Sequence, residues 1–236
     1  MSTARAIVDD LWCLLRRRGA KAVLDDVREI LRRRLYSTTD QLVLRKHMSP
    51  AEPAETRMIE VVEAQPAHLP LLAEINRREC NTSRTLHFEN GLAQGRHALL
   101  GFREGRVIGW FWWHDHTQTV YGFELSRFGL DLAPDEVYGY DLFIVPEERG
   151  QGRPAAFLAG VEAELARLGY RSMLGFVESW NRPARWLYAT HGYEVVTRCQ
   201  TRTILRRLLH VDGRGWLLRG KHGLRPLRLA SPGRRT

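Results

Sequence analysis

The sequence predicts a mixed α/β domain, with strands and helices interleaved but not strictly alternating. Three observations carry this. Apolar strand-like runs at 97–103 and 107–113 flank a turn at Glu104-Gly105, as a hairpin does. Helix-period runs at 66–78 and 155–168 lie between strand-like ones. The run Tyr140 to Val145 leads through a glycine loop, Val145-Pro146-Glu147-Glu148-Arg149-Gly150-Gln151-Gly152-Arg153-Pro154, into an Ala/Leu-rich helix.

Taken in order, residues 4–17 carry Ile7, Leu11, Trp12, Leu14 and Leu15 at helical spacing, and 22–35 repeat it with Val23, Leu24, Val27, Ile30, Leu31 and Leu35. Gly19 separates the two. The second helix bears Arg28, Arg32, Arg33 and Arg34, so the pair could lie on a membrane surface or pack on the domain beside it. Gln41 to Lys46 reads as a short strand. Ser49 to Thr56, with two prolines and no periodicity, reads as a linker. Met58 to Val62 is expected as a strand, Pro66 to Arg78 as a helix, and Asn81 to Gly95 as a loop with a second helix. Glu136 to Val145 is a strand. Arg171 to Val177 is a strand, Asn181 to Thr190 a short helix, and Tyr193 to Leu209 two strands. No internal repeat is visible. The division expected is 1–50 as a helical extension with a short strand, 57–209 as the main domain, and 210–236 as a basic tail.

The net charge of +9 is concentrated at the end. Residues 198–236 hold 11 Lys/Arg against Asp212, leaving the remainder near neutral. Such a tail suits nucleic acid, an anionic membrane surface or an acidic partner, or is simply a solvated end. No run approaches the roughly 18 apolar residues of a membrane span. The N-terminus, with Asp9 and Asp10, lacks a signal-peptide layout, so a cytoplasmic protein is expected. Cys13, Cys80 and Cys199 are odd in number and far apart, with no Cys-x-x-Cys pair. Buried free thiols are expected, with no disulfide framework and no metal.

The glycine loop is the chemical feature. Its two glycines let amides approach an anion, and the following helix adds unpaired N–H groups and the positive end of its dipole. A phosphate-bearing ligand fits. The loop lacks the Gly-Lys-Ser/Thr ending of a nucleoside-triphosphate loop and the Gly-x-Gly-x-x-Gly of a dinucleotide fold. Arg149, Gly150, Gln151, Gly152 and Arg153 instead resemble the Arg/Gln-x-x-Gly-x-Gly/Ala loop of the GNAT acetyltransferase superfamily. One helix and one strand later, Asn181-Arg182-Pro183-Ala184-Arg185-Trp186-Leu187-Tyr188-Ala189-Thr190-His191-Gly192-Tyr193 matches that superfamily's Asn-x-x-Ala-x-x-x-Tyr-x-x-x-Gly-Phe/Tyr signature. The resemblance covers residues 57–209. Pro154 departs from it, standing where Gly or Ala is usual and removing one N–H.

The resemblance implies a GNAT fold, a central twisted, mostly antiparallel sheet splayed at the acyl-CoA site. It implies transfer of an acyl group from acetyl-CoA or another acyl-CoA to an amine, by direct attack in a ternary complex. The amides of Arg149 to Arg153 would hold the pyrophosphate. Backbone groups of Phe143, Ile144 and Val145 would orient the thioester. Tyr188 would give the leaving thiolate its proton, and Asn181 would touch the CoA arm or cap its helix. Asp141, with Glu136 behind it, is the candidate base, or has a structural role. Strand alternation puts Asp141 on the face opposite Tyr138, Tyr140 and Leu142 unless a bulge intervenes. His114-Asp115-His116 has no further His, Asp or Cys cluster nearby to complete a ligand set and reads as a hairpin end or, by the resemblance, as part of the acceptor site. Trp110-Phe111-Trp112-Trp113 reads as core. The acceptor amine, a homodimer, a non-catalytic CoA-binding role and a nucleic-acid-associated acetyltransferase remain open.

Overall fold

The computed structural model describes residues 3–48, 58–117, 132–204, 207–212, 215–220 and 223–226; for 3, 4, 6, 22, 26, 29–39, 83 and 201–226 it describes the backbone alone. The expected linker at 49–56 lies outside the described residues.

Ten strands among these residues form one sheet, in the order β10-β9-β8-β7-β1-β6-β5-β4-β3-β2. They are β1 (Tyr36–His47), β2 (Glu60–Glu63), β3 (His97–Arg103), β4 (Arg106–His114), β5 (Glu136–Ile144), β6 (Ser172–Glu178), β7 (Glu194–Ile204), β8 (Arg207–Asp212), β9 (Gly215–Gly220) and β10 (Gly223–Pro226). Every pairing is antiparallel except β5 with β6. The helices are α1 (Thr3–Leu35), α2 (Leu69–Arg78), α3 (Ser83–Ala93), α4 (Arg153–Arg167) and α5 (Arg182–Thr190). Gly19, at φ 81 and ψ 163, breaks α1 into the two expected helices.

β4 is buried from Val107 to His114 because both of its faces are covered. On one, Phe88 of α3 packs against Trp110 and Trp112, with ring centroids 5.2 and 4.8 Å apart. Gly91 of α3 brings the helix down onto the indole; a Cβ there would lie 2.5 Å from Trp112. On the other, α4 covers β2 and β3, where Gly101 faces Phe157 and Gly160 faces Val61. The aromatic run is therefore core, as its composition suggests. Burying each such ring contributes on the order of 2–3 kcal/mol.

Two expectations change. Cys13 and Cys80 form a disulfide, while Cys199 is free and buried. Sequence distance hid the pair, because α1 folds back onto the corner between α2 and α3. There Asp10 also accepts from the Thr82 amide, and Arg17 donates to the Arg78 carbonyl. The boundary drawn after residue 50 does not separate two packing units. β1, twice the length expected, pairs with β6 along one edge and β7 along the other. The region read as a basic tail continues the sheet through β8, β9 and β10.

Asp40 fastens this junction. It accepts from Ser179 Oγ at 2.8 Å and from Arg198 Nε at 2.7 Å, so β1 is tied to the end of β6 and the middle of β7. The Arg198 hydrogen bond, opposed by desolvation and assisted by Ser179, lowers the Asp40 carboxyl to about 2 from the ordinary 3.8. A depressed carboxyl contributes stability above its unfolded value and loses it as pH falls through its folded one. Tm is therefore expected to drop between about pH 4 and pH 2, and an Asp40→Asn variant to show a shallower drop. Thermal melts of both proteins across that range check this.

Candidate functional site

The sheet opens between β5 and β6. The two pair only from Glu136 with Ser172 to Gly139 with Gly175. Beyond that, β6 stays with β1 as far as Glu178, while β5 stays with β4. Among the described residues, the half of β5 from Tyr140 to Ile144 thus has an edge with no strand on it. The expected splay is present.

Which backbone groups face this opening follows from alternation along the strand. The Val145 amide donates to the Ile108 carbonyl at 2.9 Å, toward β4. The groups of Ile144 therefore point the other way, and its carbonyl accepts from Arg149 Nε at 2.8 Å. Of the three residues expected to orient a thioester, Val145 has its amide committed to β4. Phe143 alternates toward β4 as well. Ile144 presents its N–H group to the opening.

The strand runs into a 3-10 turn, Pro146–Glu148, and then into the loop. Gly152 caps α4 at φ 75 and ψ 0, a left-handed conformation that glycine adopts without strain. Gln151 shares that region at φ 50. The turn aims successive amides outward. Gly150 donates to the Glu148 carbonyl and Arg153 to that of Gly150, but among the described residues the amides of Gln151, Gly152 and Ala155 have no partner. Pro154, in the first turn of α4, has no N–H to give. A Cβ on Gly150 would meet nothing within 4 Å, so neither packing nor a positive φ requires glycine there. Open space before three unpaired amides at a helix start fits a pyrophosphate. The two arginines are engaged elsewhere. Arg149 lies over the Phe143 ring, and Arg153 pairs with Glu148 at 2.8 Å and donates to Gln151 at 2.6 Å.

Asn181 caps α5, its side chain accepting from the Ala184 amide at 3.2 Å. Two turns on, Tyr188 sets its ring against Tyr193 at 4.9 Å. Tyr188 is half-buried, and desolvation, with the Glu162 carboxylate nearby, raises the pKa of its phenol well above the ordinary 10. Glu162, on α4, is itself buried and bonds Lys46 of β1 at 2.5 Å, with His191 at 3.4 Å. Sequence reading missed this buried group because Lys46 lies outside both motifs and reaches Glu162 only through the insertion of β1, while His191 fills a variable position of the second motif.

Asp141 lies on the opposite face of the sheet from Tyr188, and the alternation expected for it does not hold. Trp112 pairs with Tyr140 and Trp110 with Phe143, so Asp141 and Leu142 together oppose the single residue Phe111. This is a bulge, and it puts Asp141 at φ 49. Its side chain joins the Trp110 face, alongside Tyr140. There it pairs with Arg84 of α3 and accepts from Trp110 Nε1 at 3.3 Å. Arg84 was hidden in a segment read only as a loop with a helix. Glu136 pairs with Arg45 at 3.2 Å and accepts from the Ala133 amide, a structural role.

His114 is buried with its ring 5.1 Å from Tyr138. Asp115 accepts from the Tyr170 hydroxyl at 2.8 Å and from Thr117, closing the hairpin end. Among the described residues no group of three or more His, Cys, Asp or Glu could hold a metal ion, and no helix is long and apolar enough to cross a membrane.

Comparison with known proteins follows the same geometry. Residues 63–193, more than half of the chain, match the family model described as the acetyltransferase (GNAT) family. No protein with a curated description matches the sequence. A functionally unknown conserved protein from Staphylococcus epidermidis shares the fold at a TM-score of 0.52 and 8% identity, over 77% of this chain and 65% of that one. The GCN5-related glucosamine N-acetyltransferase region of a fungal multi-domain GH3 beta-N-acetylglucosaminidase does so at 0.50 and 17%, over 79% of this chain and 23% of that one. An acetyltransferase of the GNAT family from Colwellia psychrerythraea gives 0.49 and 13%, over 75% and 57%. The chain thus spans less than two thirds of the length of these relatives.

Proposed function

The chain belongs to the acetyltransferase (GNAT) family, and we propose that it is an acyl-CoA-dependent N-acyltransferase, with acetyl-CoA as the first donor to test. The observation that carries this is the cradle. A strand edge left open from Tyr140 to Ile144 runs directly into a loop whose amides at Gln151, Gly152 and Ala155 are unpaired.

In this reading the pyrophosphate of CoA sits on those three amides and the pantetheine arm enters between β5 and β6. Asn181 acts through its cap, fixing where α5 begins. The thioester carbonyl meets the N–H group of Ile144, placed to strengthen its hold as negative charge develops on oxygen. A neutral amine attacks that carbonyl from the α3 side, the tetrahedral adduct gives its N–H proton to solvent, from which Tyr188 is afterwards reprotonated, and the C–S bond breaks as the amide forms. Tyr188 holds its proton at neutral pH, because desolvation and the nearby Glu162 carboxylate raise its pKa, and gives it to the sulfur that leaves. Asp141 faces the incoming amine rather than the sulfur, and with Arg84 on its carboxylate its part is recognition of the acceptor.

The test is a thiol-release assay with acyl-CoA donors of increasing chain length and pooled amine acceptors, with CoA binding followed by calorimetry. Amine-dependent release of CoA is expected. Tight CoA binding without release from any pool would favour a CoA-binding module, and no CoA binding would overturn the reading of the loop.

Tyr170 and Tyr193 share with Tyr188 a pKa raised chiefly by burial. Phenols held neutral in the fold contribute stability that is complete below their unfolded value near 10 and is lost as pH rises toward their folded values. The melting temperature is expected to fall steeply above about pH 10, and a Tyr170→Phe variant to fall less steeply. Melts from pH 8 to pH 11.5 measure this.

A further inference from the structure

The face of the opening away from α4 and α5 carries an arrangement that the transfer reaction does not explain. Arg84 reaches from α3 over Trp110 and Phe143, 5.0 Å from each ring centroid, and those rings stack on each other at 4.1 Å. One nitrogen, Nη2, pairs with Asp141 Oδ1. Among the described residues the other nitrogens of the guanidinium have no partner. Its side chain keeps 24% of its surface exposed and that of Asp141 keeps 27%, so the pair is open to a small solute. A planar fork fixed by two rings and one carboxylate, with donors left over, is a preorganised receptor for a second carboxylate.

The backbone supports a binding role. Asp141 sits at φ 49, in the region that non-glycine side chains rarely adopt, in the middle of a paired strand. Such strain costs about 1–2 kcal/mol and collects at ligand sites. The bulge aims the carboxylate at Arg84, and it does so two residues before Phe143, beside the place where the thioester carbonyl lies. The local charge agrees. Arg96 lies close enough to act on His87, whose imidazole is held below its ordinary pKa by desolvation first and by Arg96 and Arg84, despite Asp141. His87 is thus held neutral and adds no second cation to the one that Arg84 sets beside Asp141.

We propose that Arg84 and Asp141 form the acceptor subsite and that the acceptor is a small primary amine bearing a carboxylate, as a free amino acid does. The acceptor's carboxylate takes the open edge of the Arg84 fork. Its amine lies beside Asp141, facing the thioester. This rests on the acyltransferase reading above.

The experiment compares free amino acids of small, aliphatic, aromatic and charged side chain with their methyl esters and decarboxylated amines, using acetyl-CoA. Wild type is expected to favour at least one free acid over its ester by roughly tenfold or more in kcat/KM, the worth of one charge-assisted hydrogen bond. Arg84→Gln should bring that ratio toward one, and Arg84→Lys, which keeps the charge without the fork, should fall between. Esters or plain amines that serve as well as the acids would overturn the proposal, as would a ratio undiminished in a folded Arg84→Gln variant. Calorimetric titration of the same amino acids and esters, with and without CoA, separates the two readings. Loss of CoA binding strikes the acyltransferase reading, whereas CoA binding with no preference for the acid, in rate or in titration, strikes the subsite.

Discussion

A Gly150→Val variant is expected to lose most of its affinity for CoA while its Tm stays close to wild type. The two glycines of the loop have different reasons to be there. Gly152 is at φ 75, so any side chain at that position strains the cap of α4, and a β-branched one most of all. Gly150 has no such constraint, and a Cβ there touches nothing within 4 Å. On the proposed reading, what it keeps clear is room for the pyrophosphate beside the amides of Gln151, Gly152 and Ala155. An isopropyl group there should exclude a pyrophosphate without disturbing the protein. A loss of roughly tenfold to a hundredfold in Kd corresponds to about 1.4–2.7 kcal/mol. Calorimetry and a thermal melt on the same preparation decide the matter. Unchanged CoA binding would remove the loop from the ligand site.

Tyr188→Phe is expected to lower kcat by about a hundredfold, the lower range for loss of a general acid, with little change in the KM for acyl-CoA. Phenylalanine fills the same space against Tyr193, so the fold should hold. The pH profile gives an independent check. A group that must be protonated to act, and whose pKa is raised, keeps the enzyme active on the alkaline side. The wild-type alkaline limb should lie above the ordinary phenol value of 10, and the variant should lack it. A variant with wild-type kcat would show that the sulfur is protonated from elsewhere. An alkaline limb well below that value would assign the titration to another group.

The parts of this molecule that sequence reading reached are those where one local segment does the whole job. Gly150 to Pro154 form their loop from their own backbone preferences, and Asn181 caps α5 with a residue three positions away. The hairpin of β3 and β4 is equally local. Asp141 was misjudged in direction, because the bulge depends on how Trp110 and Trp112 pair with the neighbouring strand. Arg84, Lys46 and His191 escaped altogether. Each acquires its meaning from a partner on another element, Asp141 for the first and Glu162 for the other two. The Cys13–Cys80 bond failed for the same reason, since helical spacing in α1 says nothing about where the helix lands.

The place of β1 has a consequence for how the chain assembles. Gln41 lies opposite Glu178, 137 residues away along the sequence, and opposite Cys199 on its other edge. A ribosome adding about 5–20 residues per second delivers β1 well before either neighbour exists. The strand must wait, with both edges bare, until β6 and β7 emerge to clasp it. Contacts of such long separation form slowly, and an unpaired strand is exposed to association while it waits. Closure of the sheet is therefore a late event that joins the beginning of the chain to its last third.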